Sequence, residues 1–408
     1  MEFKTNTIYC GDCKNILAQF PKESVDLIYI DPPFFSNRKY EVLLGDGYEP
    51  RTFEDRWKGG IENYIVWMEN KLIEYHRVLK KTGSLYLHCD YHANAQLRIL
   101  MDRVFDLKNF RDEIIWVYEG GGRSKTKQFA RKHDTIFFFV KGSDNIFNMK
   151  EILLPHTDAQ LKRYNIMKDG KRYANMKGKL RPLGDGKIPS DVWVDIPPLS
   201  CNERERLGYP TQKPEALLER IIKASSNPKG IVLDPMCGCG TAIAVAHKLD
   251  RRWIGIDVSP TACRLMVNRM QNMGVSIYEN DIAGLPRTLE ELNAMKPFEF
   301  QNWVCEKINA RVSPKKSNDM GIDGWLFDGR PLQVKQSKNV GRNVIDNFET
   351  AIRRAKKKRG IIVAFSFGKG AHEEVARAKL HDNLEIELKK VENMLEDELE
   401  ERIIQITT

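Results

Sequence analysis

Apolar residues in this chain fall into short solid runs, and between several of these runs the spacing turns helical. Val25 to Ile30, Ser84 to His88, Thr135 to Val140, Gly230 to Leu233 and Trp253 to Asp257 are predicted strands, as is Asp112 to Tyr118. Leu217, Leu218, Ile221 and Ile222 recur at helical spacing, which predicts a helix over Glu215 to Ala224. It starts behind Pro214 and stops before Asn227-Pro228-Lys229-Gly230, so it feeds directly into the strand that reaches Asp234. Strands alternating with helices predict an α/β fold built on a doubly wound sheet.

The alternation lapses from Lys150 to Lys187, where ten Lys or Arg face four acids amid several glycines. This stretch is expected to be irregular and to contact a polyanion, as part of an insert over 150–205. A boundary falls near Leu285 to Pro297. The pattern then restarts with a helix around Asn302 to Asn309, strands at Trp325 to Phe327 and Pro331 to Val334, a helix through Arg353 and a strand at Ile361 to Phe365. Glu385 to Ile404 alternates acids and apolars like a surface helix. A chain of 408 residues exceeds one hydrophobic core, and two domains, 1–290 and 297–408, are expected.

The formal charge of +9 and a pI near 9.0 favour a polyanionic partner, and duplex nucleic acid answers that field. No apolar stretch approaches the ~20 residues needed to span a bilayer, and Met1 to Cys10 lacks a signal-peptide layout. A cytoplasmic location without membrane contact is expected. The eight cysteines lack regular spacing and read as reduced thiols. Cys10 with Cys13 and Cys237 with Cys239 could in principle form a zinc site, although each pair lies inside a motif that accounts for its surroundings.

Two strings carry the chemistry. Asp31-Pro32-Pro33-Phe34 ends the first apolar run, and Leu233-Asp234-Pro235-Met236-Cys237-Gly238-Cys239-Gly240-Thr241 follows about two hundred residues later. Together, and in this order, they resemble the catalytic and cofactor motifs of the DNA amino-methyltransferases of the permuted beta subgroup. The resemblance covers roughly residues 1 to 285 and implies a Rossmann-like sheet with S-adenosylmethionine as cofactor. The residues agree. A strand that ends in an acid and turns through Gly238 and Gly240 lets backbone approach a ligand closely. A nicotinamide site would show a third glycine, whereas here Ala242 to Ala246 continue as helix. S-adenosylmethionine is cationic and has no phosphate, which suits Asp234. Asp257 ends the next strand and is placed to accept bonds from both ribose hydroxyls. The resemblance adds Gly11 and Asp12 at the adenine end of the cofactor, and Tyr209 to Pro214, with Thr211 and Lys213, at its methionine end. Pro235, Met236, Cys237 and Thr241 complete the expected cofactor set.

An exocyclic amine is a poor nucleophile because its lone pair is delocalised into the ring. Asp31 accepting one N–H and the Pro32 carbonyl accepting the other would localise it before an in-line transfer. Pro32 and Pro33 stiffen the loop, and Phe34 offers a face to an extruded base. The chain has no Pro-Cys dipeptide, which sets it apart from the cytosine-carbon enzymes. Asp rather than Asn at 31 argues against the Asn-Pro-Pro-Tyr enzymes, and Asp rather than Ser leans towards adenine-N6. Cytosine-N4 and an RNA amine remain the alternatives. Arg123 and Lys125, in the glycine-started loop from Gly120 to Lys132, and Lys171 and Arg172 in the insert are candidate DNA contacts. His88 to His92 suggests a metal site less well than a polar cluster at a strand end.

Asp319-Met320-Gly321-Ile322-Asp323-Gly324, with Gln333-Val334-Lys335 ten residues after Asp323, resembles the PD-(D/E)XK nuclease core in its Mrr-type form, over residues ~298 to 370. The resemblance implies a smaller α/β restriction-endonuclease-like domain. In it Asp323, the Gln333 oxygen and the Val334 carbonyl hold Mg²⁺, Glu306 completes the set, and Lys335 serves the attacking water. Glutamine brings no charge, so an active nuclease, a DNA-binding remnant and an unrelated strand pair all stand. The expected protein is a site-specific adenine-N6 methyltransferase of duplex DNA in a restriction-modification context, with a homodimer left open.

Overall fold

The computed structural model describes residues 3–35, 39–43, 50–54, 60–118, 127, 129–199, 205–207, 212–286, 288–295, 297–308, 310–313 and 321–395. The chain divides into two compact units, one of Met1–Tyr40 with Thr52–Gly284 and one of Glu41–Arg51 with Leu285–Thr408.

The first unit is built on an eight-stranded sheet in the order Thr7–Cys10, Arg252–Asp257, Ile231–Asp234, Val25–Ile30, Leu79–Cys89, His133–Val140, Phe110–Val117, Val192–Trp193. The first five strands are parallel, and His133–Val140 runs antiparallel to both its neighbours. Val25–Ile30 is buried along its whole length, as a central parallel strand covered on both faces must be. On one face, helices Cys13–Leu17, Gly60–Val78 and Asn94–Phe105 pack against Ile28, Ile30, Leu85, Leu87, Leu233 and Ile256. Tyr86 alternates with Leu85 and Leu87 and so faces the other way, where its hydroxyl meets Ser225 of helix Glu215–Ser225 at 2.7 Å.

The segment from Lys150 to Lys187 departs from the irregular loop expected. It forms helix Asp158–Arg163, capped by Thr157 and Gln160, and an antiparallel meander of Ile166–Lys168, Lys171–Met176 and Lys179–Pro182. Its two turns hold Asp169 and Gly170 at φ 49° and 74°, and Lys177 and Gly178 at 52° and 80°. These left-handed pairs match the twist of the flanking strands. Two of the three strands are fully exposed, so no apolar alternation marks them, and the Asp-Gly turn is the sequence signal.

The second unit has a five-stranded sheet in the order Ala310–Val312, Gly324–Leu326, Pro331–Lys335, Arg359–Ala364, Glu385–Lys390. Helix Pro297–Lys307 covers one face, over Leu332, Val334, Ile361 and Val363. Helices Arg342–Arg354 and Lys369–Asp382 cover the other, over Ile362 and Ile386. Glu385–Lys390, expected to begin a surface helix, is instead an edge strand parallel to Arg359–Ala364. Its Glu-Ile-Glu-Leu run has a period of two, and Ile386 is the residue it buries.

Candidate active site

Strands Ile231–Asp234 and Val25–Ile30 lie side by side, with Val232 opposite Leu27 and Leu233 opposite Ile28. Because they are parallel, Asp234 and Asp31 emerge at the same edge of the sheet. From here the chain departs in opposite directions, to Arg252–Asp257 on one side and to Leu79–Cys89 on the other. Such a reversal opens a crevice at the carboxyl ends of the strands.

The glycine loop after Asp234 lies at this edge. Gly238 and Gly240 sit at φ 52° and 77°, and a Cβ on Gly240 would lie 2.8 Å from Met266 Cγ. Asp257 Oδ2 accepts from the Gly238 N–H at 2.9 Å and Oδ1 from the Ser259 N–H at 2.8 Å. The Gly11 N–H donates to the Asp257 carbonyl at 2.8 Å. Gly11, Gly238 and Asp257 thus meet, although Gly11 and Asp257 are far apart in sequence. Thr241 is buried, and its hydroxyl accepts from Arg269 at 3.1 Å. Arg269 also donates to the Cys239 carbonyl and to Glu215 Oε1 at 2.9 Å. It therefore ties the loop to helix Glu215–Ser225. Nothing in the sequence singles out Arg269, since it is one of two arginines in helix Pro260–Gln271 and looks like any surface cation.

Asp12 caps helix Cys13–Leu17 through Oδ1, and its Oδ2 accepts from the buried Lys71 at 2.7 Å. Burial opposes its charge, but Lys71 and the capping N–H groups hold its carboxyl below the usual range. Asp234 differs. Burial pushes it up to about 8 against the pull of the Met236 N–H, and the charges of Asp31 and Asp257 add to the rise. Burial likewise lifts Asp257 to about 6 despite its backbone bonds. The crevice is an acidic pocket that calls for a cation.

Asp31 ends in an asymmetric setting. Its Oδ2 accepts from Lys213 Nζ at 2.5 Å, while its Oδ1 is buried without a hydrogen-bond partner among the described residues. Lys213, expected at the methionine end of the cofactor, is therefore placed on the Asp31 carboxylate, and its ammonium also lies 5.0 Å from the Phe34 ring centre. Pro32 is buried and Pro33 partly so. Phe34 leans over the buried His88 with ring centres 5.8 Å apart. His88 bridges the Tyr29 hydroxyl at 2.9 Å and Asp134 at 3.2 Å, and Tyr118 donates to the other oxygen of Asp134. His92 turns instead to Asp90 and Tyr91. The two histidines have separate polar partners and do not share a ligand set.

Thr211, Arg123 and Lys125 lie outside the described residues, as does the side chain of Glu306. Lys171 and Arg172 stand exposed on the meander, opposite Lys168 and Met167.

In the second unit the Asp323 N–H donates to the Leu332 carbonyl, and Asp323 Oδ2 accepts from the Val334 N–H at 2.7 Å. These bonds bracket Gln333, which is buried with Oε1 unpartnered among the described residues. Lys335, two residues on, shares its face. A buried, unpartnered amide oxygen on the residue before the N–H that Asp323 accepts is a donor that a divalent ion could take up. Asp346, Glu349 and Glu374 also converge, but Arg342, Arg353 and Arg377 occupy them as an ion network.

Residues 25–268, more than half of the chain, match the family profile described as DNA methylase. The chain belongs to the DNA methylase family. Residues 292–396 of this methylase match the profile described as restriction endonuclease. It is 33% identical over 268 residues to the DNA adenine methyltransferase YhdJ of Escherichia coli (strain K12), covering 65% of this chain and 83% of that one. It is 32% identical over 260 residues to the Type II methyltransferase M.BglII of Bacillus subtilis, covering 62% of this chain and 65% of that one. Among solved structures, the cytosine-N4-specific PvuII DNA methyltransferase aligns with 17% identity and a TM-score of 0.46, over 68% of this chain and 90% of that one. The methyl donor of this DNA amino-methyltransferase is S-adenosylmethionine. The crevice suits it, because the left-handed glycines admit close backbone approach and the buried acids call for the ligand's positive charge.

Proposed function

We propose that this DNA methylase moves the methyl group of S-adenosylmethionine to the N6 amine of an adenine extruded from duplex DNA. The observation that carries this reading is Asp31 Oδ1, a buried carboxylate oxygen without a partner among the described residues, at the mouth of an acidic crevice. Such an oxygen is an acceptor suited to an N–H donor. Asp257, Gly238 and Gly11 would hold the nucleoside end of the donor, and Asp234 its cationic end. S-adenosylmethionine supplies a methyl group on a sulfonium sulfur. Asp31 Oδ1 accepts one N–H of the amine and the Pro32 carbonyl the other, which draws the lone pair out of the ring and aims it. Phe34, backed by His88, stacks on the extruded base. The aspartate at 31 and the similarity to an adenine methyltransferase support adenine over cytosine.

Residues 1–290 would carry this activity, with the insert over 150–205 reading the target. Residues 297–408 would form a nuclease-like domain in which Asp323 and Gln333, with Glu306, hold Mg²⁺ and Lys335 serves the attacking water, as in a restriction-modification protein. No helix among the described residues is long and apolar enough to cross a membrane, which accords with a cytoplasmic location.

Nucleoside mass spectrometry on duplex DNA treated with the full chain should find N6-methyladenine, and N4-methylcytosine in its place would move the assignment to the other amine. Asp31→Ala should abolish transfer and leave calorimetric S-adenosylmethionine affinity nearly unchanged. Asp257→Ala should weaken that affinity by roughly 1.5–3 kcal/mol, the worth of a charged hydrogen bond. Equal loss of cofactor in both variants would remove the division of roles.

A further inference from the structure

We propose that Lys213 is a positioning residue of the methyl-transfer site: its ammonium locks the Asp31 carboxylate so that Oδ1 meets the target amine as an acceptor. The inference rests on the role assigned to Asp31 above. The pair is close and sheltered, with Nζ 2.5 Å from Oδ2 and side-chain exposures of 10% and 17%. Fixing one oxygen fixes the rotation of the whole carboxylate, and the oxygen left over is the buried one with no partner among the described residues. The same ammonium lies against the Phe34 ring, so one cation sets both the acceptor and the stacking face.

The mount is rigid. Lys213 directly precedes Pro214, the N-cap of helix Glu215–Ser225. Glu215 is held by Lys248 and by Arg269, which also holds the cofactor loop at Cys239 and Thr241. Displacing the loop therefore displaces the base of the lysine.

Charge explains the need. Asp31 is faced by Lys213, Asp234 and Tyr29, with His88 and Asp134 behind Tyr29. Neighbouring buried carboxylates compete for a proton, since like charges in low dielectric oppose joint ionisation. The Lys213 ammonium offsets the like charge of Asp234 at Asp31 and holds Oδ2, which leaves Oδ1 to face the amine as an acceptor.

The test uses the full chain with Lys213→Met, Lys213→Arg, Asp31→Asn and the double variant, read by single-turnover methylation of duplex DNA and by calorimetry with S-adenosylmethionine. Lys213→Met should slow transfer about 10- to 100-fold, as loss of a charge-assisted bond in the transition state implies, with cofactor affinity within about threefold of wild type. Lys213→Arg should recover most of the rate. In the Asp31→Asn background, Lys213→Met should change little, because the carboxylate it orients is gone. If the methionine variant is unstable, Lys213→Gln carries the same expectations. A fall in cofactor affinity that matches the fall in rate, or a full Lys213→Met effect without the Asp31 charge, overturns the proposal in favour of a lysine that serves the cofactor. Should Asp31→Asn leave transfer intact, the function assigned above fails. Should Asp31→Asn collapse while Lys213→Met transfers at the normal rate, this inference alone fails.

Discussion

Binding of S-adenosylmethionine should strengthen steeply as pH rises from 5.5 to 7. Before the ligand binds, Asp234 is pushed up to about 8 and Asp257 to about 6, so Asp234 holds its proton throughout that range and Asp257 through its lower part. A cationic ligand stabilises their ionised forms and expels those protons, so affinity grows with pH until it passes the higher value. With both acids fully ionised in the complex, Asp234 contributes about 30-fold over this window and Asp257 about 4-fold. Together they give about 100-fold, or about 3 kcal/mol. The window avoids the ligand's own groups, because an α-carboxyl titrates near ~3.5 and an α-amine near ~7.8. Calorimetry in buffers of different ionisation enthalpy should count about one proton released per ligand at pH 7 and nearly two at 5.5. Asp234→Asn should leave only the smaller, Asp257 dependence. An affinity that moves less than about threefold across the window, or no proton release at pH 7, would refute the claim that these acids are held protonated for want of a cation.

Gly240→Ala forces a side chain into φ 77° and to within 2.8 Å of Met266 Cγ, so urea unfolding should show a loss of about 2–4 kcal/mol, and a loss below ~1 kcal/mol would mean that the loop has slack. Neutralising Lys171 and Arg172 together should flatten the salt dependence of DNA binding by about one unit for each phosphate no longer neutralised; an unchanged slope would leave the meander as plain surface. In the second unit, Gln333→Glu adds a buried charge beside Asp323, so the melting temperature should fall without divalent ions and recover with Mg²⁺. If the domain is a nuclease, unmethylated DNA should be cut with Mg²⁺ or Mn²⁺ and Lys335→Ala should stop the cutting. No Mg²⁺ recovery and no cutting by any variant would retire the metal site.

What could be read from the sequence was what short-range periodicity encodes. Val25–Ile30 is a solid apolar run because it is covered on both faces, and Glu215–Ser225 shows its buried stripe in four residues. The meander from Ile166 to Pro182 could not be read that way, since its strands bury almost nothing and exist through turns and backbone bonds. Glu385–Lys390 misled for a related reason: a half-exposed edge strand and an amphipathic helix share an alternation of acids and apolars over so short a run. At the site, motif residues stood out because each combines a strand end with an acid or a glycine. Lys213 stood out in the motif but not in its partner, because its bond to Asp31 closes a gap of 182 residues. Arg269 and Lys71 gave no signal, being cations whose burial is set by what other elements bring to them.

The same geometry explains why the order of motifs along the chain is free to vary. A parallel sheet delivers every strand's carboxyl end to one edge, so Asp31 and Asp234 become neighbours through a two-residue register, whichever strand comes first. What the site demands is electrostatic rather than topological. Burial raises Asp234 to about 8, while Asp31 pairs with the Lys213 ammonium. On the proposed reading, a cation that arrives beside Asp234 displaces its proton, and Asp31, fixed by Lys213, is the acceptor that faces the base. Cofactor recognition and nucleophile activation are then two consequences of one cluster of acids, which makes a substitution that removes charge from this cluster more informative than one that removes bulk.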